Sequence, residues 1–222
     1  MNHIFPCLLS LYAGLAVPAA LAASPMVEPY HFPLNTGIPD ANSSGLAGLQ
    51  TLVSAITEIQ DVTVTLDIAG SWNGDLYATL QHASGFAVLL NRVGRSGSNP
   101  AGFGDAGMTV SINDLGGFSD IHGQSSGGGL LAGTFGSDGR TTDPGLVLDT
   151  DPRVAMLDSF ASLDANGDWT LFVADLSGGD THTLNSWGLE ITGVPEPGTI
   201  SLLALSAMLF VRRKRSSTLP PR

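Results

Sequence analysis

The 222-residue chain has a single cysteine, Cys7. It lies in a leader-like N-terminal stretch, so the body has no disulfide and no thiol chemistry. Basic residues are scarce as well. Nine Lys and Arg stand against twenty Asp and Glu, and five of the nine (Arg212, Arg213, Lys214, Arg215, Arg222) fall in the last eleven positions. The rest of the chain has Arg92, Arg95, Arg140 and Arg153. So acidic a body repels phosphate backbones, which excludes nucleic acid as a partner. It leaves solubility or divalent-cation binding as uses of the carboxylates. Beyond the leader there are four histidines, His31, His82, His122 and His182. No pair has metal-ligand spacing and there is no H-E-x-x-H, so a histidine-built zinc site is excluded. Helix-period apolar patterning is missing between the two termini.

What is present favours strands and loops: hydrophobic residues are 43%, charged residues 13%, and there are 28 glycines. Residues 23–36 carry Pro25, Pro29 and Pro33 and read as an extended lead-in. Residues 37–193 are expected to form one all-β domain. Gln60 to Ile68 is the cleanest strand, with Val62, Val64, Leu66 and Ile68 facing one way and Thr63, Thr65 and Asp67 the other. Ser71 to Asp75 turns, and Leu76, Ala78 and Leu80 continue on a new strand. Phe86 to Leu90 is wholly apolar and reads as a central strand. Arg92 to Arg140 holds many of the glycines and reads as long loop with two short strands, Met108 to Ile112 and Leu130 to Phe135. Short strands at this spacing predict a β-sandwich.

The most informative stretch is Asn166 to Ile191, NGDWTLFVADLSGGDTHTLNSWGLEI. It reads as a hairpin: Trp169, Leu171 and Val173 on one strand, a Ser177-Gly178-Gly179-Asp180 loop, then Trp187, Leu189 and Ile191 on the second. Two tryptophans here predict a core seam, each indole N–H needing a partner. This segment resembles the closing hairpin of the P domain (P/Homo B) of proprotein convertases and many secreted bacterial proteins. Gly37-Ile38-Pro39-Asp40, Val62 to Ile68 and Trp72-Asn73-Gly74-Asp75-Leu76 match that family's opening strands, and Phe103-Gly104-Asp105-Ala106 resembles a further motif. The resemblance spans roughly Pro33 to Thr192. It implies a jelly-roll-like β-sandwich. The core is expected to include Val64, Leu66, Trp72, Leu76, Trp169, Leu171, Trp187 and Leu189. The resemblance also implies calcium as a cofactor, with Asp75, Asp105, Asp175 and Asp180 as candidate ligands. Each of these also reads as a turn cap or a solvated carboxylate.

The two ends read as processing devices. Residues 1–22 look like a signal peptide, apolar from Ile4 to Leu21 with Ala20 and Ala22 at the cleavage pattern; an uncleaved anchor is the alternative. At the other end, residues 194–215 place Val194-Pro195-Glu196-Pro197 before an apolar run, Ile200 to Val211, and the basic cluster Arg212, Arg213, Lys214, Arg215; residues 216–222 are a tail. That run is shorter than the about 20 residues of a comfortable membrane span. The basic cluster would stay cytoplasmic. The three-part pattern resembles the PEP-CTERM sorting signal. The resemblance implies transient inner-membrane insertion, removal by an exosortase-type enzyme, and a Gram-negative-type envelope, with exopolysaccharide or surface proteins as partners. A plain C-terminal anchor is the alternative.

Catalytic motifs are matched in form only. Gly123-Gln124-Ser125-Ser126-Gly127 fits G-x-S-x-G, but a nucleophile elbow needs a helix after the serine, and Gly127-Gly128-Gly129 cannot open one. Asp164 to Asp168 begins like a calcium loop, but Trp169 and Asp175 stand where an EF-hand needs Gly and Glu. The expectation is a non-enzymatic, exported surface or matrix module. The alternative is an accessory domain working with a separate subtilisin/kexin-type serine protease.

Overall fold

The computed structural model describes residues 24–196. The leader with Ala20 and Ala22, and the tail from Pro197 through Arg212, Arg213, Lys214 and Arg215, lie outside the described residues. Nine strands run in order: β1 (Met26–Ile38), β2 (Leu46–Leu52), β3 (Ile56–Ala69), β4 (Leu76–His82), β5 (Gly85–Asn91), β6 (Met108–Ile112), β7 (Leu131–Phe135), β8 (Gly167–Asp175) and β9 (His182–Pro195). The helical content of the described residues is three single turns, at Asn73–Asp75, Ile121–Gly123 and Leu157–Phe160, and no helix among them is long and apolar enough to cross a membrane.

Two sheets face each other, ordered β1-β9-β3-β6-β7 and β2-β8-β4-β5. Strands β1 and β9, β2 and β8, β3 and β6, and β4 and β5 pair antiparallel. This nesting of pairs around the β4–β5 hairpin is the jelly-roll order, with β7 added parallel to β6. The fold is an all-β sandwich.

Side-chain alternation decides which face of each strand is inside. Val62, Val64, Leu66 and Ile68 of β3 are all buried, and so are Leu76, Trp169, Leu171, Trp187 and Leu189. The segment read as a hairpin is not one. Strand β8 lies in the four-stranded sheet and β9 in the five-stranded sheet. Both strands carry large apolar residues at alternate positions, and each row points into the interior from its own sheet, so the two tryptophans approach the core from opposite layers. Trp169 donates from Nε1 to the Ala165 carbonyl at 3.1 Å and stacks flat on His82, with ring centroids 4.0 Å apart. Trp187 packs against Phe32, centroid to centroid 4.6 Å, but its Nε1 has no partner among the described residues.

Three further expectations are corrected. The lead-in is strand β1, hydrogen-bonded along β9 from Met26 opposite Gly193 to Ile38 opposite His182. Pro29 and Pro33 fit because β1 is an edge, where a missing N–H costs no ladder bond. Strand β5 is an edge strand too, not a central one. It is buried because the segment after β7 crosses it: Asp138 N–H and Gly139 N–H donate to the Leu89 and Val88 carbonyls, and Val88 N–H donates to the Ala155 carbonyl. Finally, Trp72 is not core. It is 39% exposed, on a left-handed turn (φ 67°, ψ 64°) that carries its side chain out of the sandwich.

Trp169→Ala and Trp187→Ala should each cost about 3–5 kcal/mol of stability, as large buried aromatics do. Denaturant unfolding of the full chain measures this; a midpoint unmoved by both changes would refute their place in the core.

Candidate functional site

The sandwich has two distinct ends. At one, Ile56 of β3 and Met26 of β1 lie beside Pro195 and Gly193 of β9. At the other, Ala69 and Ile38 lie beside Thr183 and His182. Strand β9 is 14 residues long, and at about 3.2–3.4 Å per residue it sets the ends about 40 Å apart. Trp72 and Arg92, two of the six non-glycine residues with positive φ among the described residues, lie at the second end.

An open cleft of about 500 Å³ lies there, between the turn after β3, the turn after β5 and the loop joining β8 to β9. Trp72, Asp75, Arg92, Ala101, Ser177 and Asp180 line it. Two of these have backbones that bulky residues rarely adopt, Trp72 at φ 67° and Arg92 at φ 57°. Such conformations cost of order 1–3 kcal/mol and persist only where surrounding contacts impose them. Trp72 is held by its Nε1, which donates to the Ala101 carbonyl at 3.0 Å. Gly104 lies so close to the indole that a Cβ there would come within 3.2 Å of the ring. Arg92 donates from Nε to the Gly74 carbonyl and from one terminal nitrogen to Asp75 at 3.4 Å.

The four carboxylates expected to bind calcium do not form a common site. Asp75 faces Arg92. Asp175, fully buried, accepts from His182 Nδ1 at 2.8 Å. Asp180 accepts from the Ser71 hydroxyl. Asp105 ties down the glycine loop, accepting from the Ser125 hydroxyl (3.1 Å) and from the N–H groups of Ser126 (3.0 Å) and Gly128 (2.7 Å). Burial pushes the Asp105 carboxyl up, but these donors outweigh it and hold it below the ordinary carboxylate range. Burial likewise raises Asp75; Ser177 and Arg92 oppose the shift, and the nearby Asp175 adds to it. Among the described residues, no three His, Cys, Asp or Glu side chains are grouped to hold a metal ion. A calcium cage asks for about six to eight oxygens, and these four carboxylates are each bonded to a different protein partner.

The G-x-S-x-G serine is a loop anchor. Ser125 donates to Asp105 and accepts from Gly127 N–H. Two histidines pair with carboxylates, but neither touches a serine hydroxyl. His182 Nε2 has no partner among the described residues, and His122 Nε2 meets the Arg95 carbonyl at 2.8 Å. Among the described residues, then, neither carboxylate-paired histidine is placed as the base of a serine nucleophile.

A second polar centre, unseen from sequence, lies under the Arg92–Arg140 region. Asp138 is fully buried and binds His122 Nδ1 at 2.7 Å, Asn91 N–H at 3.1 Å and Arg140 at 3.2 Å. Arg140 reaches on to Asp120 at 2.8 Å. Arg153 donates to the Ser137 carbonyl at 2.6 Å, and Arg95 binds the Pro100 and Gly145 carbonyls. Arg95, Arg140 and Arg153 are therefore engaged in holding loops. A second depression, about 230 Å³, is lined in part by Asp61, Asp114 and Leu157. Asp114 is already taken by Ser137 and by Leu157 N–H.

No family model matches the chain, and no curated protein does. Among solved structures it is similar to the serine protease of Aeromonas sobria. Alone, that protease aligns at 15% identity and TM-score 0.44, over 81% of this chain and 29% of the other. In the complex with its chaperone the values are 15%, 0.46, 79% and 28%. The chain thus spans under a third of the length of these structures.

Both nitrogens of His122 face acceptors, so only the imidazolium satisfies both. Burial opposes that charge, but Asp138 and the Arg95 carbonyl outweigh it and raise the pKa above the usual histidine value. The stabilisation is complete below about pH 6.5, the unfolded histidine pKa, and is lost as pH rises through the higher folded value. The melting-temperature gap between wild type and His122→Gln should therefore be wider at about pH 6 than at about pH 9. A gap that widens with pH would contradict this pairing.

Proposed function

We propose that the chain is an exported, non-catalytic β-sandwich module of the cell surface or extracellular matrix of a Gram-negative-type bacterium, released from the inner membrane by an exosortase-type enzyme. One observation carries the reading: β9 stays paired up to Pro195, opposite Ile56, so the folded module runs directly into Pro195-Glu196-Pro197. The apolar run and the basic cluster that follow would hold the far side of that motif in the membrane. Cutting there would free the whole sandwich without opening a strand interior. The use of Ser125 as an anchor of the glycine loop, bonded to Asp105 and Gly127 N–H, supports a binding or structural role. So does an acidic body in which Arg95, Arg140 and Arg153 are engaged internally.

A second reading is an accessory domain for a separate serine protease. The resemblance of Asn166 to Ile191 to the P domain favours it. Co-purification with a subtilisin-type protease from native culture would favour this reading over the first.

Replacing Pro195-Glu196-Pro197 with three alanines should leave the protein in the inner membrane with Arg212 to Arg222 attached. Mass spectrometry of wild-type protein from its host should find those residues gone. Their retention in the wild type would overturn the sorting reading in favour of a plain anchor. On either reading the purified chain should cleave no peptide in a broad fluorogenic panel, and Ser125→Ala should change nothing; cleavage lost on Ser125→Ala would make it an enzyme.

A further inference from the structure

We propose that the cleft beside Trp72 binds a neutral saccharide, with the indole of Trp72 as a stacking platform and Arg92 and Asp180 as the groups that bind ring hydroxyls. The proposal rests on the surface-module reading and names the ligand class for it.

The three tryptophans of the chain are used differently. Trp169 and Trp187 are fully buried, whereas Trp72 is 39% exposed in a cleft. Glycine would adopt the left-handed turn at Trp72 without strain; instead the position holds the largest side chain available. The ring is also fixed in place, by the bond to Ala101 and by the close approach of Gly104. An aromatic surface immobilised before any ligand arrives loses little freedom on binding. The C–H face of a pyranose is flat and apolar and lies well on such a ring.

The polar groups beside it match the rim of a sugar. A guanidinium has five N–H donors. Arg92 uses one on Gly74 and one on Asp75, which leaves three without a protein partner among the described residues. Asp180 accepts from Ser71 through one carboxylate oxygen, and its other oxygen has no partner among those residues. A donor and an acceptor that line one cleft with an aromatic face are what sugar hydroxyls bind. A volume of about 500 Å³ falls in the usual range for small-ligand sites, about 300–1,000 Å³.

Charge selects the kind of saccharide. Asp75 and Asp180 outnumber Arg92 in the cleft, and the chain as a whole carries −11. Arg140 and Arg153 are bound to carboxylates and backbone carbonyls elsewhere, and Arg95, whose partner Pro100 lines the cleft, is spent on the Pro100 and Gly145 carbonyls. A uronic-acid or sulfated polymer would be repelled. The cleft also sits at the end of the sandwich remote from Pro195, so a molecule tethered there would present it outward.

The test uses the protein as purified from its host, in a detergent without sugar head groups. Calorimetry is run against soluble gluco-, galacto- and manno-oligosaccharides and against oligoalginate as the anionic probe, with acrylamide quenching of tryptophan fluorescence in parallel. At least one neutral oligosaccharide should bind and shield Trp72 from quenching, and oligoalginate should not. Trp72→Gly should weaken binding at least tenfold with the melting temperature unchanged or raised. Asp180→Ala, at a half-buried position of the loop joining β8 to β9, should weaken binding severalfold and covers the case in which the Trp72 variant misfolds. Binding to no neutral oligosaccharide, binding indifferent to both variants, or binding to oligoalginate alone would each overturn the proposal. Protease shaving of intact cells separates the two readings. Surface-exposed protein that binds no sugar sinks this inference alone, while sugar binding by a protein never exposed sinks the surface reading alone.

Discussion

The pairing of β9 on both its edges is the constraint on which the rest depends. It lies between β1 and β3 and is laddered to β1 from Ile38 to Met26 and to β3 from Ala69 to Ile56. Leu184, Trp187, Leu189 and Ile191 of this strand supply one wall of the interior. Without β9, β1 would have no partner and β3 would be joined only to β6. Both chain ends of the sandwich meet at the Pro195 end, and the loops that could meet a ligand gather at the other. That polarity comes from strand order alone.

Much of this was legible in the sequence, for a simple reason. Where a strand buries one face, hydrophobic alternation with period two records which face it is, as at Val62 to Ile68. The inward rows of β8 and β9 could be read in the same way, but their partners could not. Alternation tells which side of a strand is buried and nothing about which strand lies beside it, so two consecutive strands with a glycine loop look like a hairpin even when they belong to facing sheets. Strand β5 misled for a related reason: its apolar run reports burial on both faces, and a crossing segment covers an edge strand as well as neighbouring strands do. Trp72 misled because size and hydrophobicity suggest a core, while its exposure is set by a backbone angle that no pattern encodes.

The carboxylates illustrate a different limit. Asp75, Asp105, Asp175 and Asp180 sit in stretches of similar composition, yet they are used in four ways. Asp75 faces an arginine, Asp105 anchors a glycine turn, Asp175 pairs with a buried histidine, and Asp180 binds a serine hydroxyl. Composition shows that acids are present but not which donors will reach them. The Asp138 centre, with His122 and Arg140, was invisible for the same reason, since its members are brought together by loops with no periodicity. These buried pairs fix otherwise irregular backbone, and replacing one partner would leave the other charged and unsolvated.

The jelly-roll nesting also sets the order in which the molecule can assemble. The first described strand, β1, is matched by the last, β9, so most ladders join residues far apart in the chain, a topology in which folding is slow. The place between β1 and β3 in the larger sheet stays vacant until His182 to Pro195 has been supplied. A chain threaded through a membrane from its N-terminus would therefore reach the far side almost whole before its closing strand could dock. It would pass through the pore extended, and the final step of translocation would coincide with the final step of folding.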